Sequence, residues 1–195
     1  ISGYDMPVQY PSGILAEHNW TRENAGLFDV SHMGQAFLVG PDHETTARAL
    51  EALIPADIVS LAPGRQRYSQ LLNEEGGILD DLMVTRSIDP DEDGALYVVV
   101  NAACKDADYA HIEARLPANV KLVKAEHRGL IALQGPGAEA ALAAIAPEAA
   151  EMGFMTSRTM KVAGIKANVS RSGYTGEDGY EISAAANKIG EIWDT

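Results

Sequence analysis

The sequence holds one cysteine, Cys104, among 195 residues. That excludes an intramolecular disulfide framework and a multi-cysteine zinc site. Basic residues are also scarce, with 15 Lys and Arg against 28 Asp and Glu and a formal charge of −13. Phosphate backbones and anionic lipid surfaces are held by clustered Lys and Arg, so this balance argues against nucleic acid and membrane as partners. No apolar run approaches the ~18 residues of a membrane span. No basic-then-apolar leader opens the chain. It begins at Ile1 rather than Met, so residues are expected to precede it. What is present is ordinary for a packed protein: 46% apolar and 22% charged residues, which argues against disorder. The length suits one large domain or two small ones.

Periodicity predicts an α+β chain with mixed or antiparallel sheets. Residues 35–39, 66–73, 78–86 and 95–100 read as strands, rich in β-branched and aromatic residues and separated by turn signals. Ala47, Leu50 and Ile54 share a helical spacing, as do Tyr109, Ile112 and Leu116. Shorter strands are predicted near 120–124, 130–133, 159–162, 166–171 and 180–183. Phe37-Leu-Val-Gly-Pro41 and Ala132-Leu-Gln-Gly-Pro136 each lead from strand to helix, an internal echo that suggests a duplicated half. The last pattern, 186–193, is helical and reaches the end without a terminating glycine, so the chain is expected to break off inside a helix.

Three motifs imitate chemistry. Asp89-Pro-Asp-Glu-Asp-Gly94 opens like a calcium loop, but position twelve is Val100 and the flanks are strands; it reads as a solvated hairpin turn. Leu133-Gln-Gly-Pro-Gly137 lacks the third glycine of a dinucleotide turn, and Pro136 removes an N–H that a pyrophosphate would use. Ser31 and His32 are sequence neighbours, a poor arrangement for a nucleophile and its base. The other histidines are dispersed, so no metal site is expected.

Four clusters resist so bland a reading. They are Gly26-Leu-Phe-Asp-Val-Ser-His-Met33, Gly76-Gly-Ile-Leu-Asp-Asp-Leu-Met-Val84, Tyr97-Val-Val-Val-Asn101 and Ser172-Gly-Tyr-Thr-Gly-Glu-Asp-Gly-Tyr-Glu181. Adjacent strand residues face opposite sides, so Asp80 and Asp81 cannot both lie on the wet face of a half-buried sheet. One must be paired, ligand-bound or in a cleft. Asp81, Met83 and Thr85 share a face, and a carboxylate beside a thioether, aromatics and an amide suits a flat heteroaromatic ligand bearing N–H groups. The plainer alternative is an ion pair with an arginine such as Arg65.

These clusters, together with Asp5-Met-Pro-Val-Gln-Tyr10, resemble the aminomethyltransferases, the T-proteins of the glycine cleavage system. The matches run in family order along all 195 residues and cover about the first half of the family's length. The resemblance implies a folate-binding α+β body with one subdomain inserted in another, and a C-terminal barrel outside this chain. It implies an outer subdomain of residues 1–33 and 155–195 around an insert of 34–154. The implied reaction moves a one-carbon unit from aminomethyl-dihydrolipoyl H-protein to tetrahydrofolate as co-substrate, giving 5,10-methylenetetrahydrofolate and ammonia. By motif match Asp81 is the catalytic residue and Glu181 grips the pterin. Tyr174 and Asn101 match further folate contacts, while Tyr68, Met33 and Met83 fit the pocket walls. The family's habit implies bacterial cytoplasm or mitochondrial matrix. A related folate-dependent demethylase, the folate domain of a dimethylglycine- or sarcosine-oxidising enzyme, and a non-catalytic folate-binding module are the alternatives.

Overall fold

The computed structural model describes residues 2–195, which leaves the first position of the expected outer segment outside the described residues. In chain order the elements are α1 (Ile14–Glu23), β1 (Gly26–Asp29), β2 (Gly34–Val39), α2 (His43–Glu51), β3 (Gln66–Leu72), β4 (Ile78–Arg86) and β5 (Ala95–Val100). They continue as α3 (Lys105–Glu113), β6 (Lys121–Lys124), β7 (Arg128–Gln134), α4 (Ala138–Ala143), β8 (Thr156–Val162), β9 (Ile165–Arg171), β10 (Gly179–Ala185) and α5 (Ala186–Trp193). The described residues form two open five-stranded sheets and no barrel. The fold is α+β, as the sequence predicts.

Two compact units divide these elements. Met33–Glu126 is one; the residues up to His32 and His127–Thr195 are the other. The first crossover lies at 32/33, one residue before the expected 33/34. The second lies at 126/127 rather than after residue 154, because β7 pairs between β1 and β10, and Ala138 and Leu142 of α4 sit in the core that those strands build. A Gly-Pro turn marks the end of a strand and carries no information about which sheet the strand joins.

In the Met33–Glu126 unit the antiparallel order is β3-β4-β5-β2-β6. Strand alternation sends Leu82, Val84, Leu96, Val98 and Val100 into a core shared with Leu50 of α2 and Ile112 of α3. The helix α2 starts at His43, two residues after the Gly40-Pro41 turn. Asp42 caps it, its carboxylate accepting the Thr45 N–H at 2.8 Å. The Asp89 segment is a hairpin turn between β4 and β5, with the Asp89 carboxylate accepting the Asp91 N–H at 3.0 Å.

In the other unit the order is β1-β7-β10-β9-β8, again antiparallel throughout. Ile131, Val169, Tyr180 and Ile182 pack with Leu142 of α4 and Ile192 of α5. Strand β1 is short and largely exposed, which explains why periodicity does not reveal it. The helix α5 runs over Ala186–Trp193, and the Asp194 N–H bonds the Gly190 carbonyl at 3.1 Å.

Gly135 is packed tightly against backbone in this unit. Its φ is +121°, and an added Cβ would strike the carbonyl oxygens of Thr21 and Asn24. Backbone cannot swing aside as a side chain can. Gly135→Ala is therefore expected to destabilise the chain by roughly 2–4 kcal/mol, read from a urea unfolding curve at unchanged slope.

Candidate functional site

The Met33–Glu126 unit has one sheet face covered by helices and one turned away from them. Register places the predicted residues on that second face in adjacent rows. Tyr68 pairs with Met83, Met83 with Val99, and Val99 with Gln35. One step along, Gln70 pairs with Asp81, while Asn101 and Met33 flank the ends of β5 and β2, whose last paired residues are Val100 and Gly34. Asp81, Tyr68, Met83, Asn101 and Met33 thus gather at one end of neighbouring strands. The neighbouring row is also polar: Gln66 donates to the Thr85 hydroxyl at 3.0 Å, and Tyr97 donates to Gln35 at 2.8 Å.

Asp81 is tied at both oxygens. The Tyr68 hydroxyl donates to Oδ2 at 2.6 Å, and the Asn101 side-chain amide donates to Oδ1. Tyr68 is 52% exposed, and its hydrogen bond to Asp81 raises its pKa, so the phenol stays a donor. Asn101 is identified as a donor by its partners, because both neighbouring groups are carboxylates. Its Nδ2 also reaches Asp80 Oδ1 at 3.0 Å, and its backbone N–H reaches Asp80 Oδ2 at 3.2 Å. Asp81 is therefore oriented before any ligand arrives.

The alternation argument resolves Asp80 as well. Asp80 lies on the helix side, with Leu82 and Val84, and meets Asn101 and the Asp108 carboxyl of α3. No arginine is needed to hold it. Asp108 itself went unnoticed in the sequence, although it lies four residues before Ile112 on the buried stripe of the helix. That spacing is the signal that would have found it. Cys104, at the start of α3, is partly buried, and the Asp80 charge pushes its thiol pKa up, the reverse of an activated nucleophile.

The other unit carries the remaining two candidates, Glu181 and Tyr174. Glu181 pairs with Ala132 and Ser170, so small side chains flank it on the sheet face opposite α4 and α5. It is half-buried. Burial pushes its carboxyl pKa up to about 7, against a hydrogen bond from Ser172 that lowers it. Tyr174 is 57% exposed as a residue, and burial of its phenol, then the Glu181 charge, pushes the phenol pKa up. Its backbone N–H donates to Gln134 Oε1 at 3.0 Å. Gln134 is fully buried beneath Gly179, where a Cβ would strike its side-chain amide. Sequence reading treats Gln134 only as part of a turn. Nothing but its place before two glycines could have flagged it.

The loop between β9 and β10 is pinned from two sides. Arg22 of α1 donates to the Thr175 carbonyl at 2.6 Å and pairs with Glu177 at 3.2 Å. Arg171 binds Asp178 at 3.1 Å through Nε and the Met152 carbonyl at 2.7 Å, and holds the Asp178 pKa below the usual carboxylate range. Ser31 donates to the Leu130 carbonyl at 3.2 Å, a structural bond between β1's end and β7. Among the described residues no group of three or more His, Cys, Asp or Glu side chains is placed to hold a metal ion. No helix among them is long and apolar enough to cross a membrane.

An α+β pair of antiparallel sheets with carboxylates held on the faces away from the helices defines the class, and comparison with known proteins defines the family. The sequence matches the GCVT N-terminal domain over residues 1–195. The chain belongs to that family. It is 42% identical over 196 residues to the mitochondrial aminomethyltransferase of Dictyostelium discoideum, covering 95% of this chain and 47% of that one. The crystal structure of the glycine cleavage system aminomethyltransferase T from Bartonella henselae superposes with a TM-score of 0.84 at 39% identity, over 98% of this chain and 51% of that one. A heterotetrameric sarcosine oxidase from Corynebacterium shares the fold at 17% identity, with a TM-score of 0.63 over 91% of this chain and 86% of that one. The chain spans about half the length of the curated relatives it matches.

Proposed function

We propose that the natural-length protein carrying this chain is an aminomethyltransferase of glycine cleavage. It takes the aminomethyl group from the dihydrolipoyl arm of H-protein and gives the one-carbon unit to tetrahydrofolate. The products are 5,10-methylenetetrahydrofolate, ammonia and the free dihydrolipoyl thiol. The carbon–sulfur and carbon–nitrogen bonds of the donor break, and the two folate N–H protons leave with the thiol and the ammonia.

The observation that carries this reading is Asp81, a carboxylate tied by Tyr68 and Asn101 on the polar, helix-free face of a sheet. Such a group accepts a hydrogen bond from a folate N–H without rearranging, polarises the nitrogen and orients it for attack. Asn101 and Tyr68 hold the carboxylate, and Met33 and Met83 supply apolar wall. Glu181 accepts from the 2-amino and N3–H edge of the pterin, with Tyr174 beside it. The lipoylated H-protein supplies the donor arm. Relatives from a mitochondrion and from bacteria support mitochondrial matrix or bacterial cytoplasm as the compartment.

Turnover with defined donors tests the reading. The natural-length protein should form 5,10-methylenetetrahydrofolate from tetrahydrofolate and aminomethylated, lipoylated H-protein, and none from sarcosine or dimethylglycine. Product from the methylamines alone would assign the protein to the demethylating relatives. Saturable folate binding with no product from any donor would make it a binding module.

A further inference from the structure

Behind the Asp81 site lies a second carboxyl pair that the reaction chemistry does not call for. Asp108, on α3, is 3% exposed, and its Oδ2 has no hydrogen-bond partner. Its carboxyl lies within hydrogen-bonding reach of Asp80 on β4. Asp80 in turn accepts from Asn101 twice, at 3.2 Å from the backbone N–H and 3.0 Å from Nδ2. The second hydrogen of that Nδ2 goes to Asp81. Four groups thus form one chain: Asp108, Asp80, Asn101, Asp81.

Two carboxylates in contact cannot both be ionised in a buried setting, so one must keep a proton. Asp80 already accepts two N–H bonds from Asn101. Asp108 has no such donor and is the more deeply buried, so the proton belongs there. We propose that Asp108 is a positioning residue: as a neutral acid it donates to Asp80, which fixes the Asn101 amide and, through it, the direction of the Asp81 carboxylate. The inference rests on the aminomethyltransferase reading only for its catalytic consequence; the hydrogen-bond chain stands without it.

Burial, followed by Asp80's hydrogen bond and charge, pushes the Asp108 pKa up to about 7. The titratable or charged groups on the elements around it are Asp80 on β4, Cys104, Lys105, Asp106, Tyr109 and His111 at the start of, or along, its own helix, and Lys121 and Lys124 of β6, which packs against that helix. Above pH 7 Asp108 ionises, repels Asp80 and loosens Asn101. A merely structural aspartate would do none of this.

The test reads the chain directly, by carboxyl ¹³C and side-chain amide NMR on the wild type, Asp108→Asn and Asp108→Leu. One aspartate should titrate near pH 7 in the wild type and be missing from Asp108→Asn. Asparagine still donates to Asp80, so the Asn101 amide and Asp81 carboxyl signals should stay in place, and stop responding to pH near 7. Asp108→Leu removes the donor and should shift both signals. In the natural-length protein, turnover should fall about tenfold in Asp108→Leu with the folate KM little changed. Asp108→Asn should keep the rate and lose its decline above pH 7. An Asp108 that titrates in the ordinary carboxylate range overturns the inference, as do Asn101 and Asp81 signals indifferent to Asp108→Leu. If the NMR results hold and no variant or wild type turns over, the aminomethyltransferase reading fails and the hydrogen-bond chain survives.

Discussion

Asp81→Asn should abolish most turnover while leaving tetrahydrofolate affinity within a few-fold of the wild type. Asparagine preserves the shape of the network. Its carbonyl can accept from Asn101, and its amide can donate to Tyr68, whose hydroxyl simply reverses its role. On the proposed reading, what is lost is the carboxylate that would accept from and polarise the reacting folate N–H. Loss of a positioned acid–base group typically lowers rates by about 10²–10⁴-fold. The split between kcat and binding is the informative part: weakened folate binding with kcat unchanged would make Asp81 a binding residue only. Asp81→Ala is the weaker experiment, because it strands the Tyr68 and Asn101 donors and disturbs the site itself.

The second large effect concerns Glu181. Its carboxyl, raised to about 7 by burial, is half protonated near neutrality in the free chain. On the proposed reading, gripping the pterin edge requires the ionised form, which accepts two N–H bonds. Binding must therefore drive the proton off below pH 7, at a cost that grows as pH falls. Tetrahydrofolate affinity should rise between pH 6 and pH 8 by about tenfold, with proton uptake by the buffer visible in the heat of binding. Glu181→Gln should flatten that dependence and weaken binding about 10–100-fold at pH 8, the range for losing a charge-assisted pair. The linkage to folding has the opposite sense. A raised carboxyl pKa stabilises the folded chain below its unfolded value near 4.5, and that contribution is lost as pH rises through 7.

The two pH effects can be separated by variant. The Glu181 dependence should persist in Asp108→Asn, and the loosening of Asn101 above pH 7 should persist in Glu181→Gln.

Much of the fold was legible because strands announce themselves by alternation and their hairpins by turn residues. Strands β3, β4 and β5, with Tyr68, Leu82 and Val98 alternating across two faces, lie within a residue or two of their expected positions. The Asp80–Asp81 step was legible for the same reason. Period two forces one carboxylate inward, and the structure adds that Asn101 and Asp108 receive it. Strand β1 was not legible, since Leu27 and Phe28 are both exposed and no alternation survives. Neither was the crossover at 126/127. Membership of β7 in one sheet or the other depends on long-range pairing with β1 and β10, which no local pattern encodes. Gln134 and Asp108 escaped because a polar residue buried for a hydrogen bond has no periodic signature of its own.

Calorimetric titration of this chain with tetrahydrofolate tests the central claim most directly. A single saturable 1:1 site, weakened by Glu181→Gln and nearly untouched by Asp81→Asn, is the predicted result. A folded chain that gives no saturable heat with tetrahydrofolate would contradict it.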